Sequence, residues 1–336
     1  DHYPMNDDTT GCVKITDHPN TNDQSFIVVG NATLCTTSVN TNTLTDNYHA
    51  WRGISNAILD CNQSTFTGTT ANSNRFGFRL YQSTDNITIK NCKFNTYGRG
   101  IYVDGDSLGN NASHNKLIGN TITSNTYGTY EEFSYYNQYI NNTFSSNNYN
   151  LYLYEDNYYN KYINNSIKDS TVMGVFLDKD YNKWNNFTGN NISGNGDGDN
   201  EYNVRIDNSN NLYNYFTNNY FSAKSDDLYH IYDDNANNYF SVAPYSTRSI
   251  INGPKTGGNY WDDYTGVDSD GDGIGQTSYN SGIYLATDSN PLARYDGCMN
   301  LSNYYTWGNN ITQVGEDFYI QGSINLCYGE YNLTDS

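Results

Sequence analysis

Three phrases in the middle of the chain are nearly the same: NKLIGNTI (Asn115–Ile122), NQYINNTF (Asn137–Phe144) and NKYINNSI (Asn160–Ile167). Their opening asparagines, followed by Asn182, stand 22, 23 and 22 residues apart, and looser copies open at Asn211 and Asn237. A fixed period of this size is the mark of a solenoid, in which each repeat must fit the one before and the one after. Helical repeats need Ala and Leu at helical spacing. Here apolar and polar residues alternate in short runs such as YINNTF, GVFLDK and NVRID, with Gly and Asn between them. That pattern predicts short strands joined by tight turns, two or three per repeat, stacked as a parallel β-helix. Asn recurring at one position predicts a ladder of amides up the stack, and it suits turns that need left-handed backbone.

The 336 residues allow one large or two ordinary domains, and no apolar run approaches membrane-spanning length. The chain opens at Asp1, with no initiator Met or signal-like segment, and reads as a mature or excised piece. Charged residues are 16%, yet the formal net charge is −19, which excludes nucleic acid as a partner and suits cations and an exterior location. Few aliphatic residues with this charge would ordinarily mean disorder. The 35 Tyr supply the missing apolar area, and the repeat places them regularly. Six Cys without a C-x-x-C read as disulfides formed in an oxidising compartment.

NAILDCNQSTFTG (Asn56–Gly68), STDNITIKNCKF (Ser83–Phe94) and the NxxINNT phrases resemble the right-handed parallel β-helix repeat proteins, those related to the NosD family and to archaeal surface proteins above all. GGNYWDDYTGVDSDGDGIGQTSY (Gly257–Tyr279) resembles the segment that closes a β-helix unit in that group. The resemblance spans roughly residues 50–290 and implies a fold rather than an activity, because lyases, hydrolases, adhesins and structural proteins share it. The expected layout is a strand or cap segment at 1–50, rungs at 51–256, a closing segment at 257–290 and a C-terminal segment at 291–336.

The two ends also match. TGCVKITDHPNTNDQSFIVVGNATLC near the start parallels DGCMNLSNYYTWGNNITQVGEDFYIQGSINLC near the end, and DHYPM (Asp1–Met5) parallels DSNPL (Asp288–Leu292). The piece from Asp288 to Ser336 therefore looks like the start of another unit. Either the chain is an excerpt of a tandem array or a domain with similar caps, or this tail docks on a neighbouring copy and builds a fibre. A cysteine pair that recurs together is read as bonded together, which gives Cys12–Cys35 and Cys298–Cys327 and leaves Cys61 with Cys92.

The clearest ligand motif is DSDGDGIG, with Asp268, Asp270 and Asp272 at alternate positions and the Ile274 carbonyl two further on. These are positions one, three, five and seven of a calcium loop. Tyr279 at position twelve rules out an EF-hand; the loop looks more like those of dockerin and type 3 thrombospondin repeats. Gln276 stands where such loops often have Asp, and Asp262, Asp263 or Asp288 can complete the shell. NGDGDNE (Asn195–Glu201) is a weaker candidate.

Asn-x-Ser/Thr sites occur at Asn31, Asn62, Asn86, Asn111, Asn141, Asn164, Asn186, Asn191, Asn300, Asn310 and Asn332. Chance alone gives about this many in a chain so rich in Asn, Ser and Thr, but each can carry a glycan on an exported protein. Acid pairs for catalysis are Asp104 with Asp106, Glu131 with Glu132, and Asp178 with Asp180; plain turn acids explain them as well. Runs such as NLYLYEDNYYNKY can stack on sugar rings or on each other, and stacking between rungs is the favoured reading. Together these features predict a non-enzymatic extracellular protein, a glycosylated cell-surface filament or layer subunit whose partners are copies of itself. A polysaccharide-binding or polysaccharide-cleaving β-helix is the alternative. Metal delivery of the NosD kind is weaker, since Met and His are scarce.

Overall fold

The computed structural model describes Cys12, residues 30–39, 55–68 and 74–293 apart from 197, 199–200, 224–229 and 235–236, together with the backbone of strands at 26–28, 49–53, 298–299, 311–314, 317–320 and 325–326. The described residues form a parallel β-helix with no helices, and so no helix that is long and apolar enough to cross a membrane. Three long sheets hold ten, eight and nine strands, and the chain visits them in turn. The first runs from Phe26–Val28 to Ile283–Tyr284, the second from Asn31–Thr33 to Tyr215–Thr217 and the third from Ser38–Asn40 to Tyr260–Trp261. Strands in each of the three sheets thus already lie within residues 26–40.

Most strands of the second and third sheets are three residues long with only the middle side chain buried. Alternation decides this: once the middle residue points inward, both its neighbours point outward. In-register pairing then stacks like on like. Ile89, Leu117, Tyr139, Tyr162, Phe187 and Phe216 form one fully buried column. Within it, Tyr139, Tyr162, Phe187 and Phe216 stack with ring centroids 4.5, 4.3 and 4.4 Å apart. Phe66, Phe94, Ile122, Phe144, Ile167, Ile192, Phe221 and Trp261 form the column on the third sheet.

The repeated dipeptides make the corners. Asn91, Gly119, Asn141, Asn164, Gly189 and Asn218 occupy the left-handed region, with φ between 54° and 72°. Only Gly, and Asn at modest cost, takes that conformation readily. The next residue of each pair turns inward. The Asn120 backbone N–H donates to Asn142 Oδ1 at 2.9 Å, and Asn142 Nδ2 donates to the Leu117 carbonyl at 2.8 Å. The ladder continues through Asn165, Asn190, Asn219 and Asn259. It ends at Asp288, whose Oδ2 accepts from the Asn259 N–H at 2.7 Å. A second ladder joins Asn115, Asn137, Asn160, Asn185, Asn214 and Asn238.

This corrects the phase of the repeat. The fourth rung is keyed by Asn185 rather than Asn182, and the looser ones by Asn214 and Asn238 rather than Asn211 and Asn237. The step from Asn160 to Asn185 is 25 residues, and the extra ones fall in the connections before and after the Met173–Leu177 strand. Asn182 belongs to a parallel run, accepting from Asn157 Nδ2 at 2.7 Å and donating its N–H to Asn211 Oδ1 at 2.9 Å. A later Asn-x-x-Asn spacing looks like the repeat, but register selects only one of the two.

Before Asn120 the ladder position holds other residues. Ser64 Oγ accepts from the Thr37 N–H at 3.1 Å and donates to the Cys35 carbonyl at 3.2 Å. Disulfides staple this end: Cys12 to Cys35 and Cys61 to Cys92, with Cα–Cα distances of 5.0 and 4.8 Å. Closing a loop of this length is worth about 3–4 kcal/mol in the chain-entropy picture. The Cys298–Cys327 pairing lies outside the described residues. The backbone of Cys298–Met299 pairs in parallel with Asn325–Leu326, and Ile311–Val314 pairs antiparallel with Asp317–Ile320. These are sheets of their own, separate from the three long ones.

Candidate functional sites

Past the last rung of the third sheet the chain enters the acidic loop. Asp268 accepts backbone N–H bonds from Gly271, Asp272 and Gly273, at 2.8, 3.1 and 2.7 Å. Gly271 and Gly273 adopt φ of 74° and 88°, which lets the chain wrap around the carboxylate. Ligand oxygens of Asp268, Asp270 and Asp272 lie within 4.8 Å of one another, close enough to share a cation. Lys255 Nζ lies 2.9 Å from Asp272 and holds that carboxyl below its usual range. Gln276 closes the loop: its Nε2 donates to Asp270 Oδ1 at 2.9 Å and to the Ile274 carbonyl at 3.1 Å. The Ile274 carbonyl and Asp270 thus share one amide donor. The other acids are engaged elsewhere. Asp288 is buried at the end of the Asn ladder, where it also accepts from Trp261 Nε1 at 3.0 Å. Asp262 and Asp263 face His230.

That His230 cluster was not legible in sequence, because His230 and the Asp262–Asp263 pair are far apart and belong to no motif. His230 is buried, and its Nε2 lies 3.2 Å from both Asp262 and Asp263. Tyr279, just past the acidic loop, is also buried here and donates to Asp263 at 2.6 Å. Asn203 decides how the cluster works. Its Oδ1 accepts from Asn195 Nδ2 at 2.9 Å and its Nδ2 donates to the Ser222 carbonyl at 2.9 Å, which fixes the amide. The same Nδ2 lies 3.4 Å from His230 Nδ1. Nδ1 is then the acceptor, and the ring proton sits on Nε2, facing the carboxylates. A metal on Nε2 would move that proton to Nδ1, against an amide donor. The three ligand atoms are close enough to share a cation, but the hydrogen bonding fits a clamp between rungs better.

The outer face of the first sheet holds the third candidate. The paired acids do not converge within a strand. Glu131 points inward and is fully buried, while Glu132 points out. Asp106 accepts from the N–H groups of Leu108 and Asn110 in a turn. Asp178 accepts from Tyr152 Oη at 2.5 Å, and Asp180 from Asn210 Nδ2 at 2.9 Å. Convergence runs across rungs instead: Asp104 is in register with Glu132. Arg79 Nε donates to Asp104 at 2.7 Å, and Tyr102 Oη donates to Glu132. Burial, with Asp104 adding to it, raises the Glu132 carboxyl. The Arg99 guanidinium lies over the Tyr130 and Tyr102 rings, at 3.9 and 4.2 Å from their centroids.

Tyrosines elsewhere stack between rungs. His114, Tyr136, Tyr159, Trp184 and Tyr213 precede the Asn of their rungs, and all have positive φ, between 54° and 61°. Successive centroids in this exposed column are 5.3, 5.1, 5.1 and 5.8 Å apart. The rings of neighbouring rungs lie close to parallel, yet Tyr136, Tyr159 and Trp184 stay exposed. Among the glycosylation candidates, Asn31, Asn62, Asn86, Asn141, Asn164, Asn186 and Asn191 are exposed and Asn111 is half-buried. Asn141 and Asn164 occupy the same left-handed corner position on adjacent rungs. Asn300, Asn310 and Asn332 lie outside the described residues, as does part of the Asn195–Glu201 candidate.

These features define a class: a disulfide-stapled parallel β-helix of the kind made outside the cytoplasm. The family model described as periplasmic copper-binding protein (NosD) matches residues 15–198 and 163–266, and the chain belongs to that family. No curated protein matches it. Among solved structures, the mannuronan C-5 epimerase AlgE4 A-module of Azotobacter vinelandii is similar, with 16% identity and a TM-score of 0.41 over 57% of this chain and 55% of that one. ORF18 of Geobacillus virus E2 is similar with 12% identity and a TM-score of 0.41, over 83% and 61% of the two chains. The chain thus spans little more than half the length of either.

Proposed function

We propose that the chain is a structural protein of the cell exterior, a stiff rod that joins copies of itself end to end through residues 294–336 and carries glycans on its exposed sequons. The donated piece starts later than Asp288 because Asp288 and Leu292 are buried on the chain's own β-helix. The observation that supports this most is the pair of continuous side-chain ladders in the interior, from Asn115 to Asn238 and from Asn120 to Asp288. Such a core ties each rung to its neighbours and stiffens the whole, whereas a catalytic groove needs only a local site. The separate pairing of the tail strands and the likeness of the tail to the chain's own start support joining. Electron microscopy of the native material is the test. Continuous fibres with density for residues 294–336 crossing into a neighbour are expected; isolated particles with that segment folded onto their own helix would overturn the proposal.

Calcium is the structural cation of this reading, held by Asp268, Asp270, Asp272 and the Ile274 carbonyl once the Gln276 amide swings aside. At a hundredfold excess over its Kd, calcium should add about 2.7 kcal/mol to stability. An unchanged melting temperature in millimolar calcium would remove it.

A second reading rests on the Arg79–Asp104 and Tyr102–Glu132 network: a site for binding or cleaving an anionic polysaccharide. Turnover of such a polymer that is lost in Glu132→Gln would establish it. Copper binding, named in the family's description, has few soft ligands to draw on here, with three Met and five His in the chain and Cys12, Cys35, Cys61 and Cys92 in disulfides.

A further inference from the structure

The exposed aromatic column contains a pair of phenols placed for covalent coupling. Tyr136 and Tyr159 sit on adjacent rungs with ring centroids 5.1 Å apart and planes 3° from parallel. They are 48% and 40% exposed, so an oxidant reaches both and water can take their protons. Their backbones are fixed alike, at φ of 57° and 58°, by the ladder asparagines that follow, Asn137 and Asn160. The same stacking in the core is shielded: Tyr139 and Tyr162 are fully buried, with centroids 4.5 Å apart and the Tyr162 hydroxyl donating to Glu131. Burial and Glu131 raise both buried phenols far above the usual range.

We propose that Tyr136 and Tyr159 are an oxidative cross-linking site that adds a surface staple between rungs that no described disulfide joins. Each phenol gives up one electron and one proton. The two radicals join through a bond between ortho ring carbons, and the two ortho hydrogens move to oxygen as the rings regain aromaticity. The two electrons and two protons reduce one hydrogen peroxide to two waters through a haem peroxidase, the class of oxidant the step requires.

The experiment is brief treatment of the intact chain with hydrogen peroxide and a haem peroxidase, followed by isolation of the monomer and peptide mapping. The expected product is a monomer with dityrosine fluorescence that yields a cross-linked peptide joining Tyr136 to Tyr159, lighter by two hydrogens than the two peptides together. Tyr136→Phe keeps the ring in the stack and should lose that peptide at least tenfold, with the circular dichroism of the parent. Tyr139 and Tyr162 should stay unlinked in both. Monomer with no Tyr136–Tyr159 peptide, or a cross-link yield unchanged by Tyr136→Phe, would overturn the proposal.

Discussion

At pH 8 the Glu131→Gln variant is expected to be more stable than the parent by about 2–3 kcal/mol, and at pH 4.5 the two should unfold together. Glu131 stands in a core column between Val103 and Leu153 of the neighbouring strands. Its carboxyl accepts hydroxyl bonds from Thr129, Ser134 and Tyr162, at 3.0, 3.4 and 2.8 Å. Burial outweighs these bonds and pushes the carboxyl up to about 7, from an ordinary value of 4.5. The folded chain therefore holds a proton between these values that the unfolded chain has released. Stability falls as pH rises through that window and is level above it. Gln cannot ionise, so it removes the loss while the hydroxyls can turn to meet it. Denaturant unfolding of both proteins at several pH values reads the effect directly. Parallel stability curves across this range would show that Glu131 is not charged at a cost.

The largest loss is expected from the ladder. Asn142→Ala should destabilise the chain by about 3–5 kcal/mol, from two or more stranded polar groups at roughly 1–3 kcal/mol each. Asn142 is buried and works in both directions. It accepts from the Asn120 N–H and Nδ2 at 2.9 and 3.0 Å, and donates to the Leu117 carbonyl and Asn165 Oδ1 at 2.8 and 3.1 Å. Alanine leaves the Asn120 N–H and Nδ2 without the acceptor they share, in a dry interior. The adjacent residue is the control: Asn141 is exposed with φ of 55°, so Asn141→Gly should change stability by less than about 1 kcal/mol. Equal losses in the two variants would mean that the corner backbone matters and the side-chain ladder does not.

The period near 22 residues, the strand alternation and the Asn-rich corners were all readable, since each is a local pattern repeated. The ladder was foreseen as one position. The structure has several, and the Asn182 phase error shows why: two asparagines three residues apart are equivalent until pairing selects one. Likewise, adjacent acids said nothing about Asp104 and Glu132. They meet because a rung contains 28 residues there, a length set by where the loop after Asp104 returns to register. The cluster of His230 with Asp262 and Asp263 depends on the chain passing through the third sheet and back, and no spacing announces it.

What sequence alone determined was the unit: a short strand with one inward residue, a left-handed Gly or Asn, then an Asn that faces in. Those follow from alternation and from φ, which act within a few residues. What tertiary structure decided was which copies align. Stacking at one rung's separation makes equivalents touch whatever their distance in the chain, so it placed a carboxylate in the apolar core, ringed it with hydroxyls and paired acids across rungs. Contacts of that kind depend on accumulated register, which a sequence carries only as a sum of loop lengths.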